Sequence, residues 1–526
     1  MDHGQDSVFN PFGLLSCEQE IKKLRDFCKY RELFVENTRF NQQSLQDERY
    51  LIVGRRGSGK TALTQYYHFQ HELPNACYID VDEPKIFLDV LSEDFAKNVE
   101  PQIVTIRRFY LVWEMVIWST IFQYLSLDPD CPSVLRKACV FPVGKDNNFS
   151  VVQFIRRGLK EITHKFLGAD GSLNALENYL AGDLHSSARK ASLKLIAKRP
   201  IIIAIDSLEH YETDKPSVLM AISALIEYAS DLNVEYASRG LHIKVFVSAE
   251  IFPFLVENVI TNAEKFVRDP VFLQWRPKEL IRLICWRFYK FLEWRQISHR
   301  YQEDSIDWES FKDVYAKMWV PFFGDVITNA LGIEESTFAY IVRHTQLRPR
   351  QLIKLCNSIA RCSIRARRFP LFSTDDIREG IRDAEEDMAG EVVNSYNKIQ
   401  VNVGHIIDAL KNLPPAFSGN ELDRVAKETA ADWQGGYDSL RFRRLVAELG
   451  VVGVVRRGSK SSQHVEADFE YFTRYRLHIA TTDKCVIHPM FYRRFGTDKK
   501  FTDSFRVLPF PDHPEFHELI QVERRS

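Results

Sequence analysis

The sequence predicts an α/β protein that begins with a parallel β-sheet and continues into a helical region and a C-terminal module of short helices and strands. Over the first 275 residues, five short apolar runs alternate with segments of helical spacing, which is typical of strands joined by helices in a parallel sheet. The C-terminal third instead shows short helical patterns separated by Pro-Pro and Gly-Gly breaks. At about 150 residues per domain, a length of 526 residues fits two to four domains.

The first predicted strand, residues 50–53, runs into a glycine-rich loop. Residues 54–61 read Gly-Arg-Arg-Gly-Ser-Gly-Lys-Thr, which fits the spacing G-x-x-x-x-G-K-[ST] of a phosphate-binding loop, and a helical pattern follows. The glycines allow backbone angles at which successive N–H groups can point toward an anion. Lys60 is expected to reach the β- and γ-phosphates of a nucleotide, and the Thr61 hydroxyl to bind Mg²⁺. A glycine-rich turn that matches by chance is the alternative. The predicted nucleotide-binding residues are Gly54, Gly57, Ser58, Gly59, Lys60, Thr61 and Ala62.

An acidic motif follows the third predicted strand. Residues 76–81 predict the second strand, and the five apolar residues 201–205 predict a third that is buried on both faces. Asp206 comes directly after it, where a carboxylate would orient the water shell of Mg²⁺ opposite Thr61. Glu209 is expected to polarise the attacking water as a general base. The alternatives are a helix cap or turn residue for Asp206 and a surface acid for Glu209.

The remaining strands of the sheet are predicted at residues 241–247 and from Val271. Ser248 ends the fourth strand, where its hydroxyl could touch the γ-phosphate or the attacking water, although serine also ends strands in ordinary turns. Residues 10–49 are predicted to be helical and to pack beside the sheet. Residues 100–200 predict a helical insertion, in which a long, aromatic-rich helix packs into the core.

Composition restricts the partners. The net charge of −1 argues against binding to nucleic acid or to an anionic membrane through bulk charge, so any such contact must come from a local patch. The nine cysteines contain no C-x-x-C pair and no zinc-like cluster, which favours free thiols in a reducing compartment. No signal-peptide pattern and no run of about 18 apolar residues is present. The expected location is the cytoplasm, without membrane contact.

The C-terminal module is predicted to be a winged helix-turn-helix that follows a connector helix. The predicted helices are 404–413, 419–429 and 437–449, and the predicted strands of the wing are 451–456 and 468–480.

This module is locally basic. Residues 436–500 contain 13 Lys/Arg and 7 Asp/Glu, a net charge of +6 (13 minus 7) in a nearly neutral chain. Such residues could contact DNA phosphates, and the alternatives are a protein-docking module or an ordinary solvated helix face. The candidate contacts are Arg441, Arg443 and Arg444 on the third helix and Arg456 and Arg457 in the wing.

The order of these motifs resembles that of AAA+ and STAND-class P-loop ATPases, in particular the origin-recognition-like branch that includes bacterial members with a C-terminal winged helix. The resemblance covers roughly residues 10–495. It implies a P-loop ATPase domain at 1–275, a helical lid at 276–372, a connector helix at 373–400 and a winged-helix domain at 401–526.

The resemblance also implies roles for residues outside the phosphate loop. Arg350, within Leu-Arg-Pro-Arg-Gln-Leu, matches the lid arginine that contacts the γ-phosphate, with Arg348 as its competitor. Arg268, just before the last strand, loosely matches the arginine that reaches into a neighbouring subunit's site. ATP and Mg²⁺ are the implied ligands, and self-association or an effector protein is the implied partnership.

The leading functional hypothesis is a slow ATPase that acts as a molecular switch, with nucleotide state coupled to the C-terminal module. The resemblance to bacterial ATPases that signal invasion suggests anti-phage defence as its setting. A nucleotide-gated DNA-binding initiator or regulator is the alternative, and a nucleotide-bound scaffold without turnover is a third. No guanine-reading N-K-x-D tetrad ends a predicted strand, which favours ATP over GTP.

Overall fold

The chain divides into two compact units, each with its own hydrophobic core. Residues 36–273 form one unit, called the sheet unit below. Residues 1–35 and 274–526 form the other, called the helical unit. The computed structural model describes residues 9–35, 38–67, 77–81, 102–139, 173–206, 216–260, 263–329, 332, 334–397, 399–433, 436–459, 464–471, 476–497 and 506–508.

The helical unit starts with two short helices near the N-terminus, α1 (Cys17–Leu24) and α2 (Phe27–Glu32). The Ser16 side chain accepts a hydrogen bond from the N–H of Gln19 at the start of α1, and Asp26 does the same for α2. Such side-chain caps satisfy N–H groups that have no partner within the helix, so the sequence itself sets both starts.

The sheet unit is built on five parallel strands in the order β2-β3-β4-β1-β5. This confirms the predicted α/β fold with a parallel sheet. Every residue of β1, β3 and β4 is buried, which explains why these strands are continuous apolar runs rather than alternating ones. The strands are β1 (Leu51–Gly54), β2 (Cys77–Val81), β3 (Ile201–Ile205), β4 (Leu241–Ser248) and β5 (Val271–Phe272).

Helices cover the sheet. The longest helix of the insertion is α5 (Gln102–Leu125). Its Trp113 and Trp118 side chains are fully buried, and Trp113 Nε1 donates to the carbonyl of Ala221 at 2.9 Å. The aromatic stripe of this helix therefore belongs to the core, as its spacing predicts. The helices of the unit are α3 (Arg39–Ser44), α4 (Lys60–Tyr66), α5 (Gln102–Leu125), α6 (Ser133–Ala138), α7 (Leu173–Ala181), α8 (Asp183–Ile196), α9 (Pro216–Tyr236), α10 (Phe252–Asn258) and α11 (Ala263–Phe266).

The first half of the helical unit is an array of helices with one small hairpin. Its longest members are amphipathic and turn their apolar faces to a common core. The helices are α12 (Pro277–Trp294), α13 (Phe311–Val314), α14 (Val320–Phe323), α15 (Thr337–Val342), α16 (Pro349–Arg365) and α17 (Thr374–Ser395), a π-helical turn covers Tyr315–Trp319, and β6 (Val326–Thr328) pairs antiparallel with β7 (Glu334–Ser336).

In the described part of the chain, the second half adds four α-helices and a five-stranded sheet to the same core. The strand order is β12-β10-β9-β11-β8, and β9 pairs antiparallel with both β10 and β11. The elements are α18 (Val403–Asp408), β8 (Ala416–Ser418), α19 (Gly419–Glu428), α20 (Ser439–Glu448), β9 (Val452–Ser459), β10 (His464–Asp468), β11 (Lys484–Ile487), α21 (Tyr492–Phe495) and β12 (Arg506–Leu508).

The strand predicted over residues 468–480 was wrong for residues 469–471 and 476–480, which are not in a strand; residues 472–475 lie outside the described residues. The strand that follows β9 ends at Asp468, and Lys484–Ile487 pairs with both β8 and β9. Phe469 and Tyr471 are buried and pack against His488, so their apolar character serves the core rather than a strand.

Among the residues that the structure describes, no helix combines the length and the apolar character needed to cross a bilayer.

Candidate functional site

The loop between β1 and α4 needs glycine at three positions. Gly57 and Gly59 have φ angles of 77° and 99°, in the left-handed region that residues with a Cβ rarely adopt. Gly54 lies in extended backbone, but a Cβ there would come within 2.5 Å of Ser58 Oγ and 3.1 Å of the Leu273 side chain. The loop is therefore held in a tight turn that the sequence spacing predicts. Ser58 is buried inside it.

Lys60 folds back over this loop. Its side chain is buried, and Nζ donates a hydrogen bond to the carbonyl of Gly54 at 3.0 Å. The ammonium group thus lies at the backbone carbonyl of the first residue of the loop. Ala62 follows on α4 and is half-buried.

Thr61 and Asp206 meet, although they are 145 residues apart in the chain. The Thr61 hydroxyl donates to Asp206 Oδ2 at 2.7 Å, and only 5% of Asp206 is exposed. The parallel sheet brings them together because its strands end at one edge: Asp206 follows β3, and the loop before Thr61 follows β1. A hydroxyl and a carboxylate oxygen side by side are ligands of the kind that Mg²⁺ prefers.

Strand β4 contributes Ser248 and an acid that the sequence did not single out, Glu250. Ser248 lies in register with Gly54 on the neighbouring strand, and both Ser248 and Glu250 are buried. The Ser248 hydroxyl donates to Glu250 Oε2, and the backbone N–H of Arg56 in the loop donates to Oε1 at 3.2 Å. The one sequence signal that could have indicated Glu250 is its position two residues after Ser248, at the end of the strand next to the loop.

A buried lysine on the same strand fixes the chain that leads into β1. Lys244 Nζ donates to the carbonyls of Gln46 and Arg49 at 2.8 and 2.9 Å. Burial lowers the pKa of Lys244 to about 7. Lys244 therefore holds the chain just before β1, because its buried ammonium group donates to two backbone carbonyls instead of to water.

Two other residues are predicted to be catalytic, Glu209 and Arg268. Glu209 lies outside the described residues. Arg268 is exposed in the segment before β5.

The two candidate lid arginines have different environments within the helical unit. Arg348 is buried and donates to the side-chain oxygen of Gln346. Arg350 keeps 37% of its side chain exposed, with Nε on the carbonyl of Leu15 at 3.1 Å and Nη1 3.4 Å from the Glu391 carboxylate. Of the two guanidinium groups, that of Arg350 is therefore the more accessible to solvent.

Gln346 connects the segment before α16 to the C-terminal sheet region. Its Nε2 donates to the carbonyls of Leu449 and Gly450 at 2.8 and 3.4 Å, at the turn that follows α20. Tyr396 adds a bond from its hydroxyl to the carbonyl of Glu448 at 3.0 Å. The predicted lid, connector and C-terminal module therefore share hydrogen bonds as well as a core.

The five basic candidates of the C-terminal module are not equivalent. Arg443 is buried and forms a two-pronged ion pair with Asp423 on α19, and Arg444 pairs with Glu448 and Glu470. The pairs with Asp423 and Glu470 hold α20 against α19 and against the segment that follows β10.

Of the other three arginines, two are exposed and the third has a side chain outside the described residues. Arg441 is exposed, stacks over the Trp433 ring at 5.1 Å and donates to the carbonyl of Gly436. Arg456 is exposed and pairs with Asp468. The side chain of Arg457 lies outside the described residues. Arg441 is thus exposed on the first turn of α20.

Comparison with known proteins adds one relative. No family model matches the chain. The chain is similar to an Escherichia coli (strain K12) protein named "Putative transposon gamma-delta 80.3 kDa protein", with 21% identity over 429 residues. The alignment covers 78% of this chain but 55% of the relative, so the chain spans about half the length of the curated protein it matches.

Proposed function

We propose that this chain is a P-loop ATPase of the AAA+/STAND type, which binds ATP with Mg²⁺ at the loop after β1 and hydrolyses it slowly. One observation carries the proposal: the Thr61 hydroxyl and the Asp206 carboxylate lie 2.7 Å apart, beside a loop whose backbone favours glycine at positions 54, 57 and 59. Two residues from distant parts of the chain thus supply adjacent oxygen atoms of the kind that Mg²⁺ prefers.

The chemistry follows from what each residue can donate or accept. Backbone N–H groups of the loop bind the phosphates, and the Lys60 ammonium exchanges the Gly54 carbonyl for phosphate oxygens. Thr61 and Asp206 would hold the Mg²⁺, which would offset negative charge on the phosphate oxygens. Glu209 is assigned to the attacking water, and Ser248 to the terminal phosphate.

The same proposal gives the helical unit the role of a moving body. Arg350 serves as the lid arginine, and the bonds of Gln346 and Tyr396 make the lid and the C-terminal module one piece. Nucleotide turnover would then move the winged-helix module together with the lid rather than separately from it. Such a body can present a surface to a second copy of the chain or to an effector protein.

The test is phosphate release by the purified full-length protein. Mg²⁺-dependent hydrolysis of ATP is expected, with GTP used less well. Lys60→Ala should reduce the rate by about 100-fold or more, because it removes a charge from the phosphates. Lys190→Ala, which changes an exposed lysine on α8, is the matched control and should keep the parent rate. A Lys60→Ala protein that is as active as the parent would refute the assignment.

A nucleotide-gated DNA-binding regulator is the second candidate, and the outward-held Arg441 favours it. The name of the E. coli relative places that protein in a transposon, a setting in which DNA is at hand. The expected behaviour is duplex binding that weakens steeply with salt and changes when ATP is added. Absence of binding at low salt, with ATP hydrolysis intact, would leave the module as a protein-docking surface.

A further inference from the structure

We infer that Glu250 is a positioning residue that holds the first half of the phosphate loop in its binding shape. This rests on the proposed function, since it assigns a role in nucleotide binding at that site. Nothing in the motif itself assigns Glu250, which lies in the turn two residues after the end of β4 rather than on the loop.

The geometry ties the loop to the end of β4. Glu250 is 8% exposed, and its two carboxylate oxygens take different donors. Oε1 accepts from the Arg56 N–H at 3.2 Å, and Oε2 accepts from the Ser248 hydroxyl. The Glu250 N–H also donates a hydrogen bond to Ser248 Oγ at 3.4 Å. The serine and glutamate side chains therefore orient each other.

Arg56 sits where the loop most needs an external support. It lies between Gly54 and Gly57, and glycine backbone loses more conformational freedom than other residues when it is ordered. Ordering a loop before its ligand arrives improves affinity, because less freedom is then lost on binding. A carboxylate that holds the Arg56 N–H therefore shapes the loop in advance.

The role depends on an acceptor atom rather than on negative charge. Glutamine at position 250 would offer a carbonyl oxygen to Arg56 and an amide N–H to the Ser248 oxygen, so both contacts survive in Glu250→Gln. Alanine would remove both. Ser248→Ala would remove the hydroxyl that orients the carboxylate, together with the contact proposed for the terminal phosphate, so Mg-ADP, which lacks that phosphate, reports the orienting effect alone.

The experiment compares affinities for Mg-ATP and Mg-ADP, measured by equilibrium dialysis, among the parent, Glu250→Ala, Glu250→Gln and Ser248→Ala. An ordinary hydrogen bond corresponds to up to about tenfold in an equilibrium constant, so Glu250→Ala, which loses both contacts, should lose about tenfold for both nucleotides. Glu250→Gln should stay within about threefold of the parent, and Ser248→Ala should fall between them. Glu264→Ala, an exposed acid of the same unit, should bind like the parent.

The outcomes separate the two proposals. If the parent binds nucleotide and Glu250→Ala binds equally well, Glu250 does not position the loop, while the proposed function stands. Tighter binding by both Glu250 variants would instead make the carboxylate a competitor of the phosphates and overturn the inference. If the parent binds no nucleotide, both proposals fail. Should Glu250→Ala not fold, a tenfold loss in Glu250→Gln or an unchanged Ser248→Ala would equally contradict the inference.

Discussion

Asp206→Asn separates the metal-binding role of this residue from its role in the fold. The Asp206 carboxylate is buried and accepts one hydrogen bond from Thr61 at 2.7 Å. Asparagine keeps an oxygen for that bond and removes the charge. Because a buried charge is costly to desolvate, its removal should change the free energy of unfolding of the free protein by less than about 1 kcal/mol.

The effect on Mg-ATP binding should be large. Loss of an ionised oxygen ligand corresponds to about 1.5–3 kcal/mol, or roughly 10- to 150-fold in affinity. ATP at 100 times its dissociation constant stabilises the parent by about 2.7 kcal/mol, whereas a 100-fold weaker site gains only about 0.4 kcal/mol. At about 2–4 °C per kcal/mol for a unit of this size, the two Tm shifts should differ by about 5–9 °C.

Differential scanning calorimetry with Mg-ATP, and again with ATP and EDTA, measures these shifts. Asp130→Asn makes the same chemical change at an exposed position of the same unit and should behave like the parent. An Asp206→Asn protein with the parent's full Mg²⁺-dependent shift would contradict the assignment of Asp206 to the metal.

Three further predictions concern the helical unit. Gln346→Leu should lower its free energy of unfolding by about 2–3 kcal/mol in urea, because the Leu449 and Gly450 carbonyls lose a buried donor, whereas exposed Gln302→Leu should not. Burial lowers the pKa of His488 from 6.5 to about 3, and Nδ1 accepts the Met490 N–H, so the folded state excludes a proton that the unfolded state binds. Stability should therefore fall as the pH drops from about 6.5 toward 3, with a shallower fall in His488→Asn; equal slopes would assign the effect to other groups. Arg441→Ala should weaken duplex DNA binding in a gel-shift titration and reduce its salt slope by about one. Arg443→Ala should mainly destabilise the fold in a urea titration, by about 1–3 kcal/mol given the partial exposure of Asp423. The reverse pattern for Arg443→Ala would show that Arg443 contacts DNA.

The sheet and the loop could be predicted because their signals are local. Continuous apolar runs identify strands buried on both faces, and the glycine spacing reports backbone angles that Gly57 and Gly59 do adopt. Even the long-range meeting of Thr61 with Asp206 follows from sequence, because parallel strands end at the same edge of a sheet.

What the sequence could not predict depends on pairings between distant residues. A count of basic residues treats Arg441, Arg443 and Arg444 alike, but Asp423 and Glu470 pair with the last two. Glu250 has no fixed spacing from the loop that it contacts, so no motif could identify it. The strand expected at 468–480 failed because buried aromatic side chains satisfy an apolar pattern equally well in irregular backbone.

The shared core of lid and C-terminal module is a further case. Short helices separated by Pro and Gly breaks suggest separate modules, yet buried side chains from Leu280 to Val507 form one continuous cluster. Such continuity is a property of three-dimensional packing, which composition and periodicity along the chain do not encode.

Equilibrium dialysis with radiolabelled ATP tests the central claim most directly, with and without Mg²⁺, on the parent chain and on Lys60→Ala. We predict saturable binding of one ATP per chain that requires Mg²⁺ for full affinity and is lost when the Lys60 ammonium is removed. A parent chain that retains no ATP, or a Lys60→Ala chain that retains as much as the parent, would show that the loop after β1 is not a nucleotide site.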